Sequence, residues 1–464
     1  MRKKNQKQMP LMPCNIEHPR ARDLDRISQI LDYIPTITDL VLQDLTDGVK
    51  SHRGAEGMSA EQVLRAAIIK QTEGFSYEEL SFHLIDSRTY RNFCRIGITH
   101  KGFKKSALCK NIKAISPETW ESINRLLAAY GEDKKTEKGR EARIDCTVIS
   151  ANIHEPSDSS LLWDSVRVLT RILEKMKNLG VNISFTDHRK RAKKRMLGIL
   201  NAKSKKARVK PYKDLLKVTQ KTIGYSRTAA SILGSYVFED AEKMVLAMAM
   251  AKDFEELIPL AERVIDQTTR RVIHDEKVPA TEKIVSIFEP HADIIKKDRR
   301  ETFYGHKACL TGGPSNFISD CMIIEGNPAD STLTCEMLDR HEQIYGHYPL
   351  KVALDGGFAS KANLKSAKSR GIKDVCFAKK RGLKEEDMCR SSWVYKRLRR
   401  FHAGIESGIS CLKRCFSFSR CAWKSLLFSR VMLGPVSSLQ ISLPWPGVAI
   451  QQLSGITANR GWDP

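Results

Sequence analysis

A mixed α/β sheet covered by helices is the fold class this sequence predicts, and three observations predict it. A strand-like run, Ala142 to Ile149, interrupts an otherwise helical first half. After residue 300 two strand-like runs, His306 to Thr311 and Phe317 to Ile324, are joined by Gly312-Gly313-Pro314-Ser315-Asn316, a hairpin-type connection. Strands then alternate with helices: Ser331 to His341 helical, Leu350 to Leu354 a strand, Ser360 to Ser369 helical, Ile372 to Ala378 a strand. A hairpin followed by such alternation builds a sheet of five strands with antiparallel and parallel neighbours, helices on its faces.

The remaining elements follow from their caps and periodicity. Residues 1–23 are polar and contain proline, as a loose arm does. Residues 24–135 read as a helical domain. Ser59-Ala60-Glu61-Gln62 and Ser76-Tyr77-Glu78-Glu79 are capping boxes, in which a serine and the acid or amide three residues on satisfy free backbone amides. Ser116-Pro117 is a third helix start. Val63, Leu64, Ala67 and Ile68 recur at helical spacing, as do Leu80, Phe82, Leu84 and Ile85 less regularly. Arg88, Arg91, Arg95, Lys101, Lys104, Lys105 and Lys110 flank these short helices, either to set one against DNA or as a charged solvent face.

Between the first strand and the hairpin, residues 159–299 form a helical insertion, with long amphipathic stretches from Leu161 to Met176 and from Ala241 to Ile258. Within it, residues 189–213 hold twelve Lys or Arg and no acid. A run without compensating charge repels itself unless a polyanion lies alongside, which marks Arg189, Arg191, Lys194, Lys205 and Lys206 as phosphate contacts rather than a merely solvated face.

Bulk composition points the same way. The chain has 464 residues, 78 Lys+Arg against 54 Asp+Glu, and a formal charge of +24. Such an excess attracts nucleic acid, because each neutralised phosphate releases a counterion. No charge- and proline-free apolar run reaches 18 residues, and Met1-Arg2-Lys3-Lys4-Asn5 lacks the apolar core of a secretory signal, so no membrane partner and a cytoplasmic location are expected. Twelve irregularly spaced cysteines fit reduced thiols, and Cys411, Cys415 and Cys421 contain no C-x-x-C pair to suggest zinc.

Three acids stand out against this basic background. Asp145 lies inside a strand, where aspartate is disfavoured and a carboxylate facing a core costs several kcal/mol unless neutralised. Asp355 closes a strand immediately before Gly356-Gly357, at the edge where α/β sheets bind ligands; alone it reads equally as a turn aspartate. Glu406 flanks the apolar stripe Phe401, Ile405, Ile409, Leu412 and Phe416 of a helix, and shares a face with Arg399, His402 and Lys413. That row is either a surface ion-pair ladder or the grip on a phosphate strand beside a metal ligand.

With the run from Asn152 through Asp164, the turn Asp355-Gly356-Gly357-Phe358 and Gly404-Ile405-Glu406 with Lys413, these residues resemble bacterial insertion-sequence transposases of the DDE type, over about residues 20–423. The resemblance implies an RNase H-like core at 140–158 and 300–423. It implies that Asp145, Asp355 and Glu406 are catalytic and hold two Mg²⁺ (or Mn²⁺) ions. It further implies hydrolysis at element ends, strand transfer to target DNA, and partners in double-stranded DNA (terminal inverted repeats and target) and in further copies of the chain assembled on it. The family signature Tyr-x2-Arg-x3-Glu-x6-Lys is met at Glu406 and Lys413, with Arg399 at the tyrosine place and His402 at the arginine place. Imidazole anchors phosphate less firmly than a guanidinium fork. A catalytically inactive DNA-binding repressor derived from such an enzyme is the alternative. Residues 424–464 carry only Lys424, Arg430, Arg460 and Asp463 as charges and read as a divergent tail produced by a shifted reading frame.

Overall fold

The computed structural model describes residue 4 and residues 18–48, 57–97, 99–235, 240–297 and 301–421. The divergent tail and most of the N-terminal arm lie outside the described residues. The chain divides into two compact units, one of residues 1–150 and 307–464, the other of residues 151–306.

In the first unit, seven helices precede the sheet: α1 (Pro19–Tyr33), α2 (Thr36–Thr46), α3 (Ala60–Glu73), α4 (Tyr77–Asp86), α5 (Arg88–Phe93), α6 (Lys105–Lys113) and α7 (Pro117–Asp133). Both capping boxes form, and Ser116 caps α7 with Pro117 in its first turn. α3 is buried almost throughout, including Arg65, 1 % exposed, which is held by Glu61 at 3.1 Å and Asp32 at 2.8 Å. Leu80 and Leu84 of α4 are buried as expected, but Phe82 and Ile85 face outward, 60 % and 52 % exposed, because their spacing puts them off the core stripe. Several basic residues flanking these helices serve the fold itself. Arg91 donates to the carbonyls of Gly97 and His100, Arg95 pairs with Asp32, and Lys105 pairs with Glu78.

β1 (Glu141–Ala151) opens the sheet. The second unit follows with α8 (Asp158–Asn178), α9 (Arg189–Leu200), α10 (Lys205–Ser235) and α11 (Ala241–Thr268), packed on two apolar clusters around Leu162, Leu215 and Phe254. α11 continues ten residues past the expected end at Ile258 and carries Pro259 inside it. Proline removes one backbone bond, yet Ala261 and Val264 beyond it are buried, so packing overrides the local penalty. β2 (Asp293–Lys297) pairs antiparallel with residues 301–305, the start of β3 (Glu301–Gly312).

The rest of the first unit is β4 (Ile318–Ile324), α12 (Asp330–Tyr345), β5 (Lys351–Leu354), α13 (Lys361–Ser369), β6 (Asp374–Phe377), α14 (Glu385–Met388), α15 (Ser392–Cys415) and β7 (Arg420–Cys421). The strand order is β2-β3-β1-β5-β6, with β4 on β3 and β7 on β1. All five expected strands are present. Two short ones, β2 and β7, join them. β3 and β4 pair antiparallel, whereas β1, β5 and β6 run parallel, so the sheet is mixed and the architecture is consistent with an RNase H-like fold. The apolar core of the parallel strands contains Val352, Ala353, Leu354, Val375 and Phe377, closed by α12, α13 and α15.

Candidate active site

The register of the parallel strands decides where two of the acids stand. Ile144 of β1 pairs with Leu354 of β5, and each aspartate is the next residue of its strand. Neighbouring strands lie roughly 4.8 Å apart. Asp145 and Asp355 therefore occupy equivalent places, side by side, where β5 stops and β1 goes on to Ala151. β5 leaves the sheet there because Gly356-Gly357 turns the chain. The Asp355 carboxylate caps that turn, accepting from the Gly357 amide at 3.4 Å, while Asp145 Oδ1 accepts from the Cys146 amide at 2.7 Å. Both aspartates are half-buried.

α15 brings the third acid. The helix starts nine residues before the expected Phe401, capped by Ser391, and crosses the sheet. The Tyr395 hydroxyl donates to the Phe377 carbonyl of β6 at 3.0 Å. One and a half turns on, Arg143 of β1 donates to the Phe401 carbonyl at 3.1 Å, and His402 Nε2 lies 3.3 Å from the Ile144 carbonyl. Gly404 is needed at this crossing, since a Cβ there would overlap the Arg143 guanidinium. Glu406 sits one turn beyond His402 on the same face, exposed, with no hydrogen bond or salt bridge among the described residues. No ion-pair ladder forms around it.

His402 reports what surrounds it. Burial holds its pKa below the ordinary imidazole value, opposed by the Ile144 carbonyl and by the carboxylates of Asp355 and Glu406, with Arg143 adding to the depression. Asp355 and Glu406 thus act on one imidazole. The same burial, 6 % exposed, sets the His402 ring against the backbone of β1 rather than on the surface where the expected phosphate grip would lie. Arg399 is exposed and lies in the field of Lys380 and Tyr395 beside β6, and Lys413 is half-buried in the last turn of α15.

Two residues near the acids had no part in the sequence reading. Arg143 is 4 % exposed. It bonds the Phe401 carbonyl and Asn316 Oδ1 and stacks 4.8 Å from the Phe401 ring, and burial pulls its pKa down to about 10. It ties β1 to α15 and to the β3–β4 turn, so it positions Glu406 relative to the aspartates. Lys379 is exposed, and its side chain lies over Gly356 beside Asp355. Its signal was available: Phe377 pairs with Leu354, so Lys379-Lys380-Arg381 follows the strand end next to Asp355.

In the second unit, the basic run is partly neutralised by acids outside it. Arg189 pairs with Glu174 and Asp187, Arg191 and Arg195 both pair with Asp214 at 2.5 Å, and Lys205 pairs with Asp275 at 2.6 Å. The argument from uncompensated charge therefore does not hold for these four. Lys190, Lys193, Lys194, Lys206, Arg208 and Lys210 are exposed, with no acidic partner among the described residues.

Two carboxylates on adjacent strands and an exposed glutamate are oxygen-only donors, the chemistry of hard ions such as Mg²⁺ and Mn²⁺. Among the described residues, no three His, Cys, Asp or Glu side chains are gathered tightly enough to hold an ion, and that holds for Cys411, Cys415 and Cys421 as well. Every described cysteine is a free thiol. No described helix is long and apolar enough to cross a membrane.

An acid pair on adjacent strands of a mixed sheet, crossed by a helix bearing a third acid, is consistent with an RNase H-like DDE fold. Comparison with family models agrees. Residues 262–434 match the transposase DDE domain, and residues 15–114 match the transposase domain designated DUF772. Two stretches of the chain are thus similar to transposase domains, one N-terminal and one a DDE domain. A DDE domain implies DNA transposition, DNA binding and phosphoryl transfer. Asp355 and Glu406 fall inside its match, and Asp145 precedes it. No curated protein and no solved structure matches the chain.

Proposed function

We propose that this chain cuts double-stranded DNA at the terminal inverted repeats of a mobile element and joins those ends to target DNA, working as a homo-oligomer on the DNA. Asp145, Asp355 and Glu406 would hold two Mg²⁺ or Mn²⁺ ions. The observation that carries this reading is the β1–β5 register, which sets Asp145 within β1 beside Asp355 at the end of β5 in a helix-covered sheet. When bound, the ions supply an acidified water or DNA 3′-hydroxyl and stabilisation of the leaving oxygen.

The chain's own residues do the rest. The two aspartates are fixed by backbone pairing, so their spacing survives side-chain motion. Glu406 rides on α15, which Arg143 and Tyr395 pin to the sheet at two places. Lys379 and Arg399 offer cations beside the acids, and the bare lysines of α9 and α10 offer a sequence-independent hold on phosphates. In this assignment residues 24–135 contact DNA as well.

Labelled terminal-repeat DNA incubated with Mn²⁺ tests the reading. Cleaved ends with the native chain and none with Asp355→Asn support it. DNA that is shifted in a gel but uncut supports instead a repressor without catalysis, which the burial of His402 at the family's arginine place favours.

A further inference from the structure

A wide cleft lies in the first unit and has no part in the acid site. Its volume is about 610 Å³, and it runs along the open edge of β4 between α7 and α12. Three observations describe what it would take. First, its charge opposes that of the chain. Glu118, Glu121, Asp320, Glu325 and Glu336 line it with one cation, Arg340, which is already bound bidentately by Asp320 at 2.7 Å and by Glu121 at 2.6 Å. In a chain of +24 this cleft repels DNA.

Second, two polar groups in its lining are unmet. Trp120 is 2 % exposed and its indole N–H has no acceptor among the described residues; Asn124, one turn along α7 and 8 % exposed, has an unpaired side-chain carbonyl. Buried donors and acceptors are rarely left so. Third, β4 pairs on one side with β3 and lends its other edge, Asp320 to Glu325, to the cleft. An edge strand turns alternate N–H and C=O groups away from its neighbour. Asn124 already takes one of them, donating to the Ser319 carbonyl at 2.7 Å.

We propose that this cleft binds an extended, basic segment of a separate protein, which adds to the edge of β4 as a strand. Backbone pairing would supply the register, the glutamates would select lysine or arginine side chains, and the Trp120 N–H and Asn124 carbonyl would meet the segment's own amides. Six edge residues span roughly 20 Å, enough for a short peptide.

The test uses the full chain and a fluorescein-labelled hexapeptide, Lys-Val-Arg-Val-Lys-Val, followed by anisotropy. Binding at about 10–100 µM is expected, lost when its central residues are replaced by proline or its basic residues by glutamate. Glu118 and Glu336 are exposed, so Glu118→Lys with Glu336→Lys leaves the fold intact and should weaken the peptide by about tenfold or more. Trp120→Phe, which keeps the ring and removes the N–H, should weaken it severalfold. The circular dichroism spectra of both variant chains should match that of the native chain. A flat titration to 1 mM, roughly the limit of useful affinity, overturns the proposal, as does equal binding by the charge-reversed chain. Self-association of the native chain that the peptide competes away would make a second copy the occupant, and would overturn the assignment to a separate protein.

Discussion

Arg191 on α9 and Glu406 on α15 are both charged residues on exposed helix faces, yet one is spent and the other is not. Arg191 shares Asp214 with Arg195, and the pairs around Arg189 and Lys205 repeat the pattern. Among the described residues Glu406 has no such partner, although its helix carries Arg399, Arg400, Lys413 and Arg414. The comparison teaches that charge density alone does not locate function. A paired charge is committed to the fold; an unpaired one is available to a ligand.

Changing the three acids should give the largest effects. Asp145→Asn, Asp355→Asn and Glu406→Gln are each expected to lower Mn²⁺-dependent cleavage by about a thousandfold or more while leaving the gel shift of terminal-repeat DNA unchanged. Cleavage that survives all three substitutions would remove these acids from the chemistry.

A third kind of group sharpens the contrast, one the fold keeps uncharged. His341 is 2 % exposed; its Nε2 donates to the Gly139 carbonyl at 2.8 Å and its Nδ1 has no partner among the described residues. Burial pulls its pKa down to about 4 from the ordinary 6.5. The unfolded chain then binds the proton more readily, so stability is present above pH 6.5 and is lost as pH falls from there toward 4, by roughly 3 kcal/mol at most. Urea midpoints across that range should fall steeply for the native chain and less so for His341→Gln. Gly404→Ala should cost about 1–3 kcal/mol in the same assay by displacing the Arg143 guanidinium, and should reduce cleavage further than stability explains, because Glu406 moves with the helix.

The smaller effects separate the two classes of basic residue. Reversing Lys190, Lys193, Lys194 and Lys206 to glutamate should weaken DNA binding by at least about tenfold and flatten its salt dependence by roughly 3–4 in log-log slope. Arg191→Ala should change stability by less than about 1 kcal/mol, as exposed pairs do, and alter DNA binding least of all. If Arg191→Ala weakened DNA as strongly as the lysine reversals, pairing with Asp214 would not distinguish the classes.

Much of the fold was legible because it is local. The serines at 59, 76 and 116 announce their helices through caps that each involve only neighbouring residues, and all five core strands carry their own apolar runs. The position of Asp355 before two glycines was equally readable. What could not be read was pairing across long separations. Asp187 and Asp214, which flank the basic run and pair with Arg189, Arg191 and Arg195, were open to be read, whereas Arg143 reaches Phe401 across 258 residues, so the anchoring of α15 has no trace in nearby sequence. The burial of His402 was hidden for the same reason. Its helical face was correct, but which side of that face met the sheet depended on the Ile144 carbonyl, 258 residues earlier.

The crossing of the sheet by α15 also sets an order of events during synthesis. The first two carboxylates emerge with β1 and β5, but the third arrives only with a helix that begins at Ser392, after the N-terminal helices and the whole basic unit have been made. A nascent or prematurely ended chain accordingly carries the basic helices of α9 and α10 before it owns all three acids.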